Sequence, residues 1–208
     1  MITKILLSRS IPLYVVCLVI LTIGSYVLGR AAIRIDLSYE YPENRLPYVE
    51  LCALLGGIMS TILLRPRFWE WDHIGTWRAS VVSTLCAFVG IALPSLVVIV
   101  GSLRLPPGTS WLWSLSNAGV ICAIISLMSV VVGPSFAAGV GLLLWFGFGV
   151  VNNIAPWLSG YLPLSGFREQ EPRWWLWTIM ALLTLAVHAY TRGSTAWVQR
   201  MSQKEHAM

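Results

Sequence analysis

NAGVICAIISLMSVVVGPSFAAGVGLLLWFGFGVVN, residues 117–152, is 36 residues long and carries no Asp, Glu, Lys or Arg. The uncharged stretch extends beyond it on both sides, from Leu105 to Phe167, 63 residues in all. A water-soluble domain carries roughly 25% charged residues. This chain carries 11%, with 57% hydrophobic residues over its 208 positions. Such a composition indicates an all-α polytopic membrane protein, because backbone in lipid must satisfy its own hydrogen bonds and an open strand cannot.

Thirty-six residues are too many for one crossing of a hydrocarbon core about 30 Å thick. Gly133-Pro134 supplies a turn, so the stretch divides into spans over about 117–132 and 134–152. Working outward gives four more, at about 11–29, 48–64, 80–102 and 174–191. The expectation is a single transmembrane domain over residues 1–208 with six helices. The first apolar run, Ile11 to Gly29, is long for a signal peptide core and lacks a clear cleavage site, so it is read as a retained span.

Lys and Arg set the orientation. With the N-terminus inside, the inner segments hold Lys4, Arg9, Arg65, Arg67, Arg78, Arg192, Arg200 and Lys204, against Arg30, Arg34, Arg45, Arg104, Arg168 and Arg173 outside. Both termini are therefore expected in the cytoplasm of a multi-pass cell-membrane protein. The Trp residues follow the same map. Trp111, Trp113, Trp157, Trp174, Trp175 and Trp177 fall at the outer boundary, Trp69, Trp71, Trp77 and Trp197 at the inner one, and only Trp145 mid-span. Residues 30–47 read as a short exposed connection. Residues 153–173 are too apolar for a free loop and read as a short re-entrant element before the last helix, with Asn152 and Asn153 satisfying backbone at the turn.

Several functions are disfavoured. The net charge of +5 is spread over the loops, which suits membrane orientation rather than nucleic acid. Cys17, Cys52, Cys86 and Cys122 lie in different apolar runs and read as small apolar residues. No P-loop and no H-E-x-x-H occurs. The nearest carboxylate to a span interior is Glu50, placed at the outer end of the second span, which argues against an ion-coupled carrier. No cofactor, metal or catalytic set is expected. A rhomboid-type intramembrane protease would need six spans, a Ser and a His. Gly133-Pro134-Ser135, His188 and Trp77-Arg78 match it in part, but Phe136 stands where that pattern has Gly, and the map puts Ser135 at the cytoplasmic turn. Small residues recur at packing distance (Ser25 and Gly29, Ala53 and Gly57, Gly56 and Ser60, Ser135 and Gly139, Ala137 and Gly141), as in a packed bundle or a dimer.

Residues 65–78, RPRFWEWDHIGTWR, stand apart, with three Arg, two acids, a His and three Trp in 14 residues between apolar runs. Aromatic and Arg side chains are favoured anchors at protein interfaces. The plainer reading is a Trp- and Arg-rich anchor in the lipid headgroups. In order of parts the chain resembles the membrane (permease) subunit of type-2 ABC exporters. That family places a cytoplasmic coupling helix between the second and third of six spans, with an acid followed by Gly-Thr, here Glu70 and Gly75-Thr76. A re-entrant pair before the sixth span corresponds to residues 153–173. The resemblance implies a non-enzymatic transport subunit moving a hydrophobic, lipid-like or peptide cargo. Its partners would be a separate ATP-binding subunit and a second permease, as homodimer or heterodimer. Arg67, Trp69, Glu70, Asp72, His73, Gly75, Thr76 and Arg78 would form the ATPase dock, and the coupling helix would have to continue into the third span. The alternative from another class is a non-catalytic membrane scaffold or assembly factor using the same patch.

Overall fold

The structure is a computed structural model that describes residues 9–41, 43–65, 77–105, 111–166, 171–195, 197 and 198. It is mostly helical. The helices are α1 (Ile11–Val27), α2 (Tyr48–Leu63), α3 (Trp77–Ala92), α4 (Pro94–Ser102), α5 (Leu112–Val132), α6 (Pro134–Ile154) and α7 (Trp174–Thr191). A two-stranded hairpin, β1 (Ala32–Ile35) with β2 (Asn44–Pro47), joins α1 to α2, and a 3-10 turn, Pro156–Gly160, follows α6. Among the described residues, four stretches are long and apolar enough to cross a membrane: Trp77–Ser102, Leu112–Val132, Pro134–Ile154 and Trp174–Thr191. Helices α1 and α2 are apolar but shorter.

Proline and glycine punctuate the chain where their backbone chemistry requires. Pro94 and Pro134 each open a helix, where the missing N–H costs nothing. Pro94 also splits the stretch 77–102 in two, because it cannot donate to the preceding turn. Gly133 sits at φ 95°, a conformation side chains resist, and it reverses the chain between α5 and α6.

Helix α5 is the hub, packing against α2, α3, α4, α6 and α7. It begins at Leu112, ahead of the expected start at 117, and this draws Trp113 into the core at 2% exposure. Trp113 is therefore not part of an outer belt. Burial won over the headgroup preference because the earlier helix start makes Trp113 its second residue, on the packed side.

Close approach depends on small residues. A Cβ at Gly101 would lie 2.1 Å from Ser25 Oγ and 2.8 Å from Val49 Cγ1. One at Gly57 would lie 2.6 Å from Cys122 Sγ. Hydroxyls then bridge the helices: Ser25 Oγ donates to Val97 O at 2.9 Å, Thr184 Oγ1 to Ala123 O at 3.0 Å and Ser80 Oγ to Ala189 O at 2.6 Å. The Ser25, Ala53, Gly57 and Ser60 positions are thus used within this chain. Residues 30–47 are likewise no exposed connection. Ile33 pairs with Leu46 and Ile35 with Asn44, and Ile35, Asn44 and Leu46 are buried. Arg34 faces Arg45 across the strands, a repulsive pairing that Glu43 relieves by accepting from Arg45. That hydrogen bond holds the Glu43 carboxyl below its usual range.

Gly101→Leu should lower the unfolding midpoint in detergent, since overpacking costs about 1–3 kcal/mol. Gly139→Ala, with nothing within 4 Å of the added Cβ, should leave it unchanged. Equal midpoints for the two variants would refute the close approach of α1, α2 and α4.

Candidate functional site

Two polar regions lie inside the apolar bundle, one at each end. The first is built around Glu50 in the first turn of α2, at 1% exposure. Its carboxyl accepts from two helices. Ser114 Oγ, on α5, donates to Oε1 at 3.0 Å, and Trp145 Nε1, on α6, donates to Oε2 at 3.1 Å. The side chains of Asn117 and Ser165 also face it. Among the described residues, the buried Ser165 hydroxyl has hydrogen-bonding geometry with no group.

This overturns the expectation that no buried carboxylate is present. A helical face explains it. Glu50, Ala53, Gly57 and Ser60 recur at three- and four-residue spacing, so Glu50 shares the packed face of small residues rather than pointing to the headgroups. Trp145 completes the correction. It is buried mid-helix because its N–H has an acceptor to meet.

Around the carboxyl, side-chain amides bind the irregular segments down. Asn44 Nδ2 donates to Gly149 O at 2.8 Å and to Ser165 O at 3.0 Å. Asn152 Nδ2 donates to Ser165 O at 3.2 Å, and Asn117 Nδ2 to Leu164 O at 2.9 Å. Leu37 N donates to Asn153 Oδ1 at 2.9 Å. Residues 163–166 are buried under these bonds. The segment expected to re-enter therefore begins with a short 3-10 turn and folds into the end of the bundle, with Asn152 and Asn153 in the bonding role assigned to them. Leu46 closes the same end, its Cδ2 lying 2.4 Å from where a Cβ on Gly149 would be.

The second region is a partly open cavity of about 30 Å³ at the opposite end, where Arg9, Leu64, Arg65, Pro134 and Gly193 come together. Ser60, Thr61, Ser83, Ser126, Ser129 and His188 also line it. Arg9 is 5% exposed and donates to Leu64 O at 3.3 Å. His188 sets Nδ1 against Thr184 O at 2.9 Å. Ser135 is exposed and does not line this cavity.

Of the expected docking residues, Arg67, Trp69, Glu70, Asp72, His73, Gly75 and Thr76 lie outside the described residues. Arg78 is exposed in the first turn of α3, beside an exposed Trp77. Among the described residues, no group of three or more His, Cys, Asp or Glu could hold a metal ion. No family model, curated protein or solved structure matches this chain.

Glu50→Ala would strand Trp145 Nε1 and Ser114 Oγ in the core, at about 1–3 kcal/mol for each orphaned group. The expected result is a clear drop in unfolding midpoint and faster proteolysis within residues 155–166. Glu50→Gln keeps one acceptor and should fall between Ala and wild type. Unchanged proteolysis in Glu50→Ala would show that the carboxyl does not hold the segment.

Proposed function

We propose that this chain is the permease subunit of an ATP-driven exporter of the type-2 ABC kind. It crosses the cell membrane six times with both termini in the cytoplasm, and residues 65–78 dock onto a separate ATP-binding subunit. The observation that carries this reading is the broken third helix. Helix α3 starts at Trp77, where the charged segment ends, and packs chiefly against α7. Past Pro94, α4 packs instead against α1, α2 and α5. A push on residues 65–78 would act first on the half-helix below the break. The break gives that half a hinge, and α4 would pass the motion on to the end that holds Glu50.

Charge supports the orientation. Among the described residues, the cavity end holds Arg9, Arg65, Arg78 and Arg192 and no acid, whereas the hairpin end mixes Arg with Asp36, Glu40, Glu43 and Glu171. The cargo path would run between two permeases. The cavity within the chain, about 30 Å³, is far smaller than the hundreds of Å³ of a typical ligand pocket. A lipid-like, hydrophobic or peptide cargo suits the apolar outer faces of α1, α6 and α7, where Ile20, Leu143 and Leu182 are exposed.

Isolation of the protein from its native membrane, in mild detergent, should recover a P-loop ATPase. Charge reversal at Glu70 and Asp72 should cut that recovery about tenfold, the cost of one lost charge-assisted contact at an interface, without lowering the amount of permease. Recovery of no ATPase, or full recovery with both charges reversed, would end this reading. ATPase binding without any export activity would turn it towards a scaffold.

A further inference from the structure

We infer that the turn of the hairpin, with Trp157 and Tyr161 beside it, is a docking surface for a cationic amphipathic peptide. Its apolar part is an exposed aromatic patch. Tyr39 stands clear of the fold at 109% exposure, and Leu37, Trp157 and Tyr161 are exposed by 61%, 65% and 78%. These residues come from two segments that the fold brings together. Leu37 N donates to Asn153 Oδ1 at 2.9 Å, and the Tyr41 ring lies 6.3 Å from that of Trp157. Exposed apolar surface of this kind marks an interaction site, and Tyr and Trp are favoured anchors because they offer large area at few rotatable bonds.

Charge selects the partner. Residues 36–43, DLSYEYPE, hold three acids and no Lys or Arg. Glu43 is taken up by Arg45. Asp36 and Glu40 are exposed on either side of Tyr39, and neither makes an ion pair among the described residues. The hairpin's own cations, Arg34 and Arg45, stand on the paired strands rather than in the turn. A lipid surface accounts for Tyr and Trp alone, but headgroup phosphates repel the two carboxylates that flank Tyr39. A Lys or Arg of a partner meets a carboxylate and an aromatic face at once, by ion pairing and cation–π attraction. Leu37 and Trp157 call for apolar side chains on the same partner. A cationic amphipathic peptide supplies both. The surface lies at the end of the molecule away from the Arg9 cavity, so the inference goes beyond the exporter reading and stands or falls without an ATPase.

The test is fluorescence anisotropy of a labelled Lys–Leu amphipathic peptide with the full chain in phosphatidylcholine nanodiscs, empty nanodiscs giving the lipid background. The protein should bind the peptide about tenfold more tightly than empty nanodiscs do, and less so as salt is raised. A Glu–Leu peptide of the same pattern should show no excess over the background. Asp36→Asn with Glu40→Gln should weaken binding about fivefold, the loss expected for two exposed ion pairs. Tyr39→Ala should weaken it about tenfold, as an aromatic anchor does. Tyr39 is fully exposed, so this variant should keep the wild-type unfolding midpoint. No excess over empty nanodiscs, equal binding of the Glu–Leu peptide, or unaltered affinity in either variant would overturn the inference. A dimer of the chain that Tyr39→Ala dissociates would also overturn it, and would give the face to a second copy.

Discussion

The interaction on which the rest depends is the burial of the Glu50 carboxyl, which accepts hydrogen bonds from two other helices and faces a polar side chain of a third segment. A carboxyl removed from water without partners is costly, and one with partners constrains everything that supplies them. Here α5 supplies Ser114, α6 supplies Trp145, and Asn117 and Ser165 close in from α5 and the folded-in segment. No one of these elements can shift by an ångström alone without leaving a polar group behind. The hairpin and residues 155–166 are irregular structures at the end of an apolar bundle, and they are tolerable there only because their backbone groups find amides. Asn44, Asn117, Asn152 and Asn153 provide them. The carboxyl and the amides form one connected network, so this end of the molecule is built to move as a unit or not at all.

The other end is built differently. Its polar groups surround a cavity rather than one another. Ser83 and Ser126 line it, and Arg9 reaches across to donate to Leu64 O at the end of α2. A cavity among them leaves room for side chains to be displaced. The stretch from Trp77 to Ser102 joins the two ends and is weakest at Pro94, where the helical hydrogen-bond ladder loses a donor. A stiff end, a looser end and a hinged connector are the parts that a coupling mechanism needs, whichever partner supplies the force.

The helices themselves were legible because lipid leaves little choice. A run of uncharged residues can only be helical, and Gly133-Pro134 can only be a turn if both flanks are to cross. The polar site was harder to see, because its residues were judged singly. Glu50 alone looks like an interfacial acid. Placed on a helical face with Ala53, Gly57 and Ser60, it falls on the side already marked for close packing. Trp113 is hard to place in the same way, since an indole suits the headgroups equally well until a packed neighbour is known, whereas Trp145 stands mid-span in the sequence and mid-helix in the structure. The hairpin gave a weaker signal still. Ile33, Ile35 and Leu46 alternate over too few residues to stand out from a polar loop, and their burial depends on α6 presenting the bare backbone of Gly149.

The partition between lipid and protein partners follows from these features. Helix α1 turns Leu13, Val16, Ile20 and Ile23 outward, and α7 turns out Ile179 and Leu182, all aliphatic and needing nothing but lipid tails. The face of α6 differs, because Phe136, Leu143 and Phe146 stand beside Gly139 and Gly147, where nothing lies within 4 Å. A surface of large side chains with open glycine positions between them can admit a neighbouring helix closely, and α6 offers two such positions where α1 has one, Gly24. If a second copy of the chain is recruited, α6 offers two sterically open positions for backbone approach. The Trp145 bond to Glu50 lies on the opposite side of that same helix, so a subunit contact there would bear directly on the network at the hairpin end.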